Sequence, residues 1–138
     1  MGYTHYWNEV KVQPEIWKAF VKLAKKAADA SSIRIAWEFD ETSKKPEFNA
    51  KGIRFNGCGD NGHETFVLRP NGSGFNFCKT AEKPYDEIVV SILILAAKYL
   101  PGFSWSSDGD NKDFRDGLAL AQQVDDSITE TNVDRSKE

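Results

Sequence analysis

The feature that most restricts the fold is an apolar segment, Ile88–Ala97, in which Ser91 is the only polar residue. Pro84 precedes it and Pro101 follows it, and prolines at these positions are typical of the start and the end of a helix. A helix that is apolar on every side has to be covered on every side. We therefore predict a central buried helix around which the rest of the chain is arranged.

Amphipathic helices are also predicted on both sides of this segment. The first begins near Pro14 and runs for about four turns, because its apolar residues recur at helical spacing. The other begins after Asp110 or Asn111, either of which is a suitable N-cap. The apolar faces consist of Ile16, Phe20, Leu23 and Ala27 in the first helix and of Phe114, Leu118, Ala121 and Val124 in the last.

The remaining apolar segments alternate with polar residues, as half-buried strands do. Turn residues separate them at spacings too short for helical crossovers, which favours antiparallel pairing. We predict an α+β fold in which three helices pack on a mostly antiparallel sheet of about five to six strands. The predicted strands are Gly2–Trp7, Ile33–Phe39, Gly52–Asn56, Glu64–Leu68, Gly74–Cys78 and Phe103–Ser106.

The chain has 138 residues, of which 40% are apolar, and this is enough for one domain with a packed core. We assign residues 1–126 to a single α+β domain. Residues 127–138 are predicted to form a solvated acidic tail, because Ile128 and Val133 are the only sizeable apolar residues in them.

The cysteines and the first residues indicate a cellular compartment. Cys58 and Cys78 are too few for a disulfide scaffold, so we predict two reduced thiols. Met1–Trp7 is polar and aromatic, unlike a secretory signal, which is basic and then apolar. We therefore expect a cytoplasmic protein.

The charges are divided unevenly. Residues 1–100 hold 14 basic and 12 acidic residues, whereas residues 101–138 hold 4 and 9. The net charge of −3 provides no basic surplus to neutralise phosphates, so we expect no binding to duplex nucleic acid. Ile88–Ala97 is too short to span a bilayer, so we expect no membrane partner.

Three polar segments interrupt the apolar pattern and are the candidate functional sites. The first is Phe55–Phe66, in which glycines allow tight turns or the close approach of a ligand. His63 and Glu64 offer a titrating base and a carboxylate there. The structural alternative is a glycine-rich hairpin whose polar residues face solvent.

The second segment, Phe77–Asp86, joins a predicted strand to the central helix. Helix N-termini present free N–H groups and a partial positive charge, which attract anions. Lys79 and Lys83 add two cationic groups beside this helix start. A phosphate or carboxylate site is one interpretation, and a turn with Thr80 as its cap is the other.

The third segment, Trp105–Asp113, has aspartates at alternating positions. It does not fit a calcium loop, because Lys112 and Asp113 stand where an EF-hand needs Asp or Asn and then Gly. Asp108 and Asp110 are weak candidates for binding a divalent ion. The cysteines and histidines do not follow a zinc-ribbon spacing. We therefore predict no metal and no cofactor.

Several short motifs together resemble those of one family. They are Gly2-Tyr3-Thr4-His5-Tyr6-Trp7, Phe55-Asn56-Gly57, Gly62-His63-Glu64-Thr65-Phe66, Phe77-Cys78-Lys79-Thr80, Lys83-Pro84-Tyr85-Asp86 and Ser107-Asp108-Gly109-Asp110. Over about residues 2–120 the chain resembles a family of small uncharacterised phage and bacterial proteins that begin with the same aromatic signature. The resemblance implies shared ancestry and an accessory role in a phage, within the cytoplasm of its host. It implies no particular activity.

We expect a binding protein that captures a small anionic, nucleotide-like ligand and so sequesters a host signal. Trp7, Tyr85, Phe75 or Phe77 would provide a stacking surface, and basic residues would hold the charge. The predicted ligand-binding residues are His5, Trp7, Arg54, Asn56, His63, Thr65, Lys79, Thr80 and Tyr85. Of these, we expect His5, His63, Lys79 and Tyr85 to surround one pocket, since side chains from neighbouring strands lie close together.

Two other functions remain open. A metal-assisted hydrolase or phosphoesterase would use His63 as its base, with Glu64 or Asp86 assisting and with Asp108 and Asp110 holding a divalent ion. A protein–protein inhibitor of a host factor would use the acidic C-terminal third as its contact surface. Binding is favoured over catalysis, because no complete catalytic constellation can be assembled from the spacings.

Overall fold

The computed structural model describes residues 3–135. Within this range the chain forms three α-helices and seven strands in two antiparallel sheets, so the predicted α+β class is confirmed. A short 3-10 turn, Gly59–Asn61, lies between the fourth and fifth strands. The elements in order are β1 (Thr4–Lys11), α1 (Pro14–Ala30), β2 (Ile35–Ala36), β3 (Glu47–Asn49), β4 (Gly52–Gly57), β5 (Phe66–Leu68), β6 (Asn71–Lys79), α2 (Asp86–Tyr99), β7 (Trp105–Ser107) and α3 (Arg115–Val124).

The central helix has the predicted position. In α2 the residues from Ile88 to Ala96 are all buried. Both α1 and α3 pack against α2, and they also contact each other. The first turn of α2 carries Asp86, whose carboxylate reaches β1 and fixes the helix start against the sheet.

The strands are divided between two sheets, where we expected one. The first sheet has the order β6-β1-β7, and β1 is antiparallel to both neighbours. In the second sheet β4 pairs with β2, β3 and β5. The chain crosses from the second sheet to the first between β5 and β6, and a turn of two residues joins these two strands.

The predicted strand Ile33–Phe39 is reduced to the two residues of β2. Trp37 does not continue the buried face, because its ring lies between two cationic side chains. The Lys44 ammonium is 4.0 Å and the Arg54 guanidinium carbon 3.9 Å from the ring centroid. Such cation–π contacts hold the indole at the surface. Phe39, the next residue of the alternating pattern, is 48% exposed.

The segment after α3 differs from the predicted solvated tail. Ile128 is buried in the core, and the Trp105 indole N–H donates a hydrogen bond to the Thr131 carbonyl at 3.1 Å. The Asp134 N–H donates to the Trp105 carbonyl at 2.7 Å. Residues 127–135 therefore pack on the domain, because they accept a hydrogen bond from the buried Trp105 indole and donate one to the backbone of β7. Residues 136–138, like Met1 and Gly2, lie outside the described range.

Neither cysteine is in a disulfide: Cys58 and Cys78 are free thiols. Among residues 3–135 no helix is both long enough and apolar enough to cross a membrane.

Candidate functional site

β1 places its side chains alternately on two faces of the first sheet. Residues paired directly across antiparallel strands share a face. His5 is opposite both Cys78 and Ser107, so these three side chains lie on the inner face, next to the core. Tyr6 is opposite Phe77, and both lie on the outer face.

The inner face contains a buried polar network around His5. The imidazole is completely buried, with Nδ1 2.8 Å from Ser107 Oγ and Nε2 2.6 Å from Asp86 Oδ1. The Thr80 hydroxyl donates to the same carboxylate oxygen at 2.6 Å. One imidazole therefore connects β1, β7 and the start of α2.

The order Ser107, His5, Asp86 is that of a nucleophile, a base and an orienting acid. The imidazole, however, has no contact with solvent, and the Ser107 oxygen also accepts a hydrogen bond from the Gly109 N–H at 2.9 Å. Buried polar groups are normally paired in this way to offset their lost hydration. The geometry is that of an internal connection between elements.

Asp108 and Asp110, the weak metal candidates, are used as hydrogen-bond acceptors. Asp108 accepts the Thr4 N–H at 3.1 Å and the Tyr6 hydroxyl at 3.0 Å. The backbone N–H groups of Asp113 and Lys112 both donate hydrogen bonds to the Asp110 carboxylate. These bonds lower the pKa of the Asp110 carboxyl, and the bond from Asp113 has the larger effect. Within residues 3–135 no group of three or more His, Cys, Asp or Glu side chains is arranged to hold a metal ion.

The glycine-rich segment is held in its turn by the buried Asn56 side chain. Its amide donates to the His63 carbonyl at 3.0 Å and to the Thr65 hydroxyl at 3.1 Å. Its oxygen accepts the N–H groups of Gly57 at 2.8 Å and of His63 at 3.0 Å. A Cβ atom on Gly57 would lie 2.2 Å from the Asn61 carbonyl oxygen, so the turn requires glycine. Asn56 and Thr65, predicted as ligand-binding residues, therefore stabilise the loop.

Glu64 joins this loop to the end of β6. Its N–H donates to the Lys79 carbonyl at 3.1 Å, and its carboxylate accepts the Lys79 N–H at 2.8 Å. The Glu64 carbonyl accepts the Tyr85 hydroxyl and the Cys78 thiol. Burial and the nearby Glu64 carboxylate raise the pKa of Cys78 to about 12. Burial is also the main cause that raises the pKa of Tyr85, and its interaction with Cys78 is the second. Both groups are therefore protonated at neutral pH.

The structure brings the three predicted segments together but does not place the four predicted side chains around one pocket. His5 and Tyr85 are completely buried, whereas His63 and Lys79 are exposed. Lys79 is paired with Thr4 and not with His5, so it lies on the other face of the sheet. A difference of one residue along a strand reverses the face, and sequence alone does not fix the register.

Two other predicted ligand residues also lie elsewhere. Trp7 is buried against Phe66, with ring centroids 5.2 Å apart. Arg54 belongs to the second sheet, where it forms an ion pair with Glu38 and stacks on Trp37. Neither side chain can join Lys79 in holding one small anion.

The cavity beside the start of α2 is acidic. It has a volume of about 210 Å³, and five carboxylates line it together with one lysine, Lys83. Coulomb repulsion from these carboxylates opposes the phosphate or carboxylate ligand that we predicted at this helix start. The acidic side chains are Glu82, Asp86, Glu87, Asp113 and Asp116.

The outer face of the first sheet carries exposed aromatic rings. Phe75 is 63% and Phe77 46% exposed. The Tyr6 and Phe75 ring centroids are 5.9 Å apart, with 26° between the ring planes, and those of Phe75 and Phe77 are 6.2 Å apart. Lys79 follows in the same row, two residues after Phe77. We call the surface of Tyr6, Phe75, Phe77 and Lys79 the aromatic face.

Sequence reasoning named Phe75 and Phe77 as possible stacking residues but did not place them on this surface. In the segment Phe75–Cys78 three of the four residues are apolar, so alternation does not show which side faces the core. A cavity of only about 40 Å³ lies beneath Tyr6 and Phe75. Because this is room for about one water molecule, a ligand would bind on the open face.

The chain matches no family model, no curated protein and no solved structure. The resemblance to phage and bacterial proteins remains a prediction.

Proposed function

We propose that the protein is a binding module that captures a nucleotide-like anion on the aromatic face. The observation that carries this proposal is the contact of two exposed phenylalanine rings with the half-buried ring of Tyr6, and the lysine at the end of their row. Within a phage-infected cell, such a protein would sequester a host signal of this chemical class.

The chemistry of the face fits both parts of a nucleotide. A nucleobase stacked on an exposed aromatic ring contributes about 1–3 kcal/mol, with little dependence on the base. Alternate residues of a strand project in the same direction about 7 Å apart. Lys79 therefore projects from the same face one such step beyond Phe77, and its long side chain can reach the phosphate of a base stacked on that ring.

The openness of the face limits the affinity. Enclosed pockets bury most of a ligand's surface, whereas a sheet face contacts one side of it. We therefore expect weak binding that falls with salt, because one lysine supplies the charge and exposed charges are screened.

The experiment is a titration with mononucleotides and with short single-stranded oligonucleotides, followed by calorimetry or NMR. Phe77→Ala is expected to weaken binding by about fivefold to a hundredfold, which corresponds to the loss of one stacking contact. Phe39→Ala is the matched control, because Phe39 is similarly exposed, at 48%, but lies outside the first sheet. Equal affinity in wild type and Phe77→Ala would contradict the proposal.

The ligand is also expected to be recovered unchanged. Turnover that His63→Ala abolishes would favour the hydrolase, although His63 is exposed and its backbone is held by Asn56. A chain that binds no member of the panel, but is captured by a protein through Phe75 and Phe77, would favour the protein inhibitor.

A further inference from the structure

The aromatic face carries two accessible rings on one strand. Phe75 and Phe77 are alternate residues of β6, and their ring centroids are 6.2 Å apart. Both phenylalanines are exposed, so each ring presents surface to solvent. Proteins that bind single strands on a sheet stack successive bases on successive aromatic rings. A mononucleotide stacked on Phe77 would therefore leave the Phe75 ring uncovered.

The cross-strand neighbours of the two rings differ. Tyr6 is opposite Phe77, and its hydroxyl already donates to the Asp108 carboxylate at 3.0 Å. Asn8 is opposite Phe75 and is exposed, and its side-chain amide has no hydrogen-bond partner within residues 3–135. Asn8 and Phe75 also line the same small cavity of about 40 Å³. A base on Phe75 would therefore have an unpaired amide beside it, whereas a base on Phe77 would not.

An asparagine amide can identify a base. It has a carbonyl acceptor and an NH₂ donor, and it forms a pair of hydrogen bonds with adenine at N6 and N7. In single strands these base edges are accessible, because the bases can be splayed apart. The Cβ atoms of directly opposite residues are about 4.5–5.5 Å apart, so the Asn8 amide can reach the edge of a base stacked on Phe75.

Charge indicates the direction in which a strand would lie on the face. Lys79 follows Phe77 in the row of β6, whereas Asp108 directly follows β7, on the opposite side of β1. A terminal phosphate is attracted to Lys79 and repelled by Asp108. The phosphate end of the strand would therefore lie at Lys79, with its first base on Phe77 and its second base on Phe75.

We propose that the aromatic face binds two successive nucleotides of a single strand, and that Asn8 selects adenine at the second of them. This inference rests on the proposed function, because it concerns the same face. It adds two properties that the binding of a mononucleotide does not require. One is a second stacked base, and the other is a dependence of the affinity on the order of the bases.

The first experiment compares uridine monophosphate with the dinucleotide pUpA, which has the same terminal 5′ phosphate, by calorimetry or NMR at low salt. The dinucleotide is expected to bind about fivefold to a hundredfold more tightly, because it adds one stacked base. Phe75→Ala is expected to abolish this difference. Phe39→Ala is the matched control and is expected to keep it, because Phe39 is also exposed but lies outside the first sheet.

The second experiment reverses the order of the bases. The dinucleotides pUpA and pApU have the same bases and the same charge, so only the placement of adenine differs. We expect pUpA to bind about fivefold more tightly, the lower limit for a paired contact of asparagine with adenine, because the face is open to water. Asn8→Ala is expected to remove this preference. Asn61→Ala is the control and is expected to keep it, because Asn61 is exposed but lies outside the first sheet.

The outcomes separate this inference from the proposed function. If uridine monophosphate binds and Phe77→Ala weakens its binding, but pUpA binds no more tightly, the proposed function stands and the inference is wrong. Equal affinities of the wild type for pUpA and pApU also overturn the inference, as does a preference that Asn8→Ala leaves intact. If no probe binds, both proposals are contradicted. Circular dichroism and thermal melting check that each variant is folded.

Discussion

Each face of the first sheet contains an exception to the usual distribution of residues. On the inner face, next to the core, His5 and Ser107 are polar and hydrogen-bonded. On the outer face, Phe75 and Phe77 are apolar and exposed. Each arrangement has a cost, since buried polar groups lose hydration and exposed rings contact water.

The difference shows how each face is used. The inner polar groups are paired with one another and with Asp86, so their lost hydration is offset and they connect three elements. The outer rings of Phe75 and Phe77 contact each other, and Phe75 also contacts Tyr6, while both phenylalanines remain exposed. The polar residues therefore support the fold, and the aromatic residues are available for a partner.

Removing the inner network is expected to have the largest effect. In Asp86→Ala the His5 Nε2 atom and the Thr80 hydroxyl lose their partner, and leaving a buried polar group without a partner costs about 1–3 kcal/mol for each group. Urea denaturation measures the change. The control is Asp29→Ala, which removes a carboxylate that is 63% exposed and should cost at most about 1 kcal/mol. Similar losses in both variants would mean that the network does not stabilise the fold.

In the glycine-rich loop the buried Asn56 side chain forms a smaller network, which can be compared with the exposed His63. Asn56→Ala leaves the N–H groups of Gly57 and His63 without an acceptor, so we expect a loss of about 2 kcal/mol in the free energy of unfolding. His63→Ala removes an exposed side chain and should change stability by less than about 0.5 kcal/mol. The assignment of Asn56 as a structural residue would be incorrect if His63→Ala were the more damaging change.

Raising the pH tests the buried Cys78 thiol of the inner face without any substitution. The pKa of Cys78 is raised from 9.0 to about 12 on folding, so the unfolded chain releases its proton first. The stabilising difference is complete below pH 9 and is lost as the pH rises from 9 towards 12. The slope for one group reaches about 1.4 kcal/mol per pH unit. Urea denaturation between pH 7 and 10.5 should show this fall, and Cys78→Ala should make it shallower.

The smallest effect on stability is expected on the outer face. The double change Phe75→Ser and Phe77→Ser removes cross-strand contacts that are worth about 0.2–1 kcal/mol each. Unfolding at low protein concentration, where association does not contribute, should therefore change little. Binding of the nucleotide probes should be lost in the same variant. A large loss of stability would mean that these rings belong to the core.

The helices were predictable because their signals are local. The apolar segment Ile88–Ala97 and the periodic face from Ile16 to Ala27 each determine an element without reference to the rest of the chain. β3 has no comparable signal, since Phe48 is the only apolar residue of Glu47–Asn49. Trp37 belongs to an alternating pattern, but its contacts with Lys44 and Arg54 hold it at the surface.

The polar network around His5 was only partly predictable, because its members are distant in sequence. The sequence indicated that His5, Thr80 and Asp86 were unusual, but Ser107 is 102 residues and Asp86 is 81 residues from His5. No local spacing identifies such partners. The faces of β6 depend on its register with β1, and that register was not determined by the pattern of Phe75–Cys78.

The bond between the Asp134 N–H and the Trp105 carbonyl has a consequence for the exposed edge of the first sheet. Trp105 lies in β7, the edge strand opposite to β6, and the C-terminal segment takes the acceptor that a foreign strand would otherwise use there. A chain shortened before Asp134 is therefore expected to leave this acceptor open and to aggregate more readily at the same concentration, which light scattering measures.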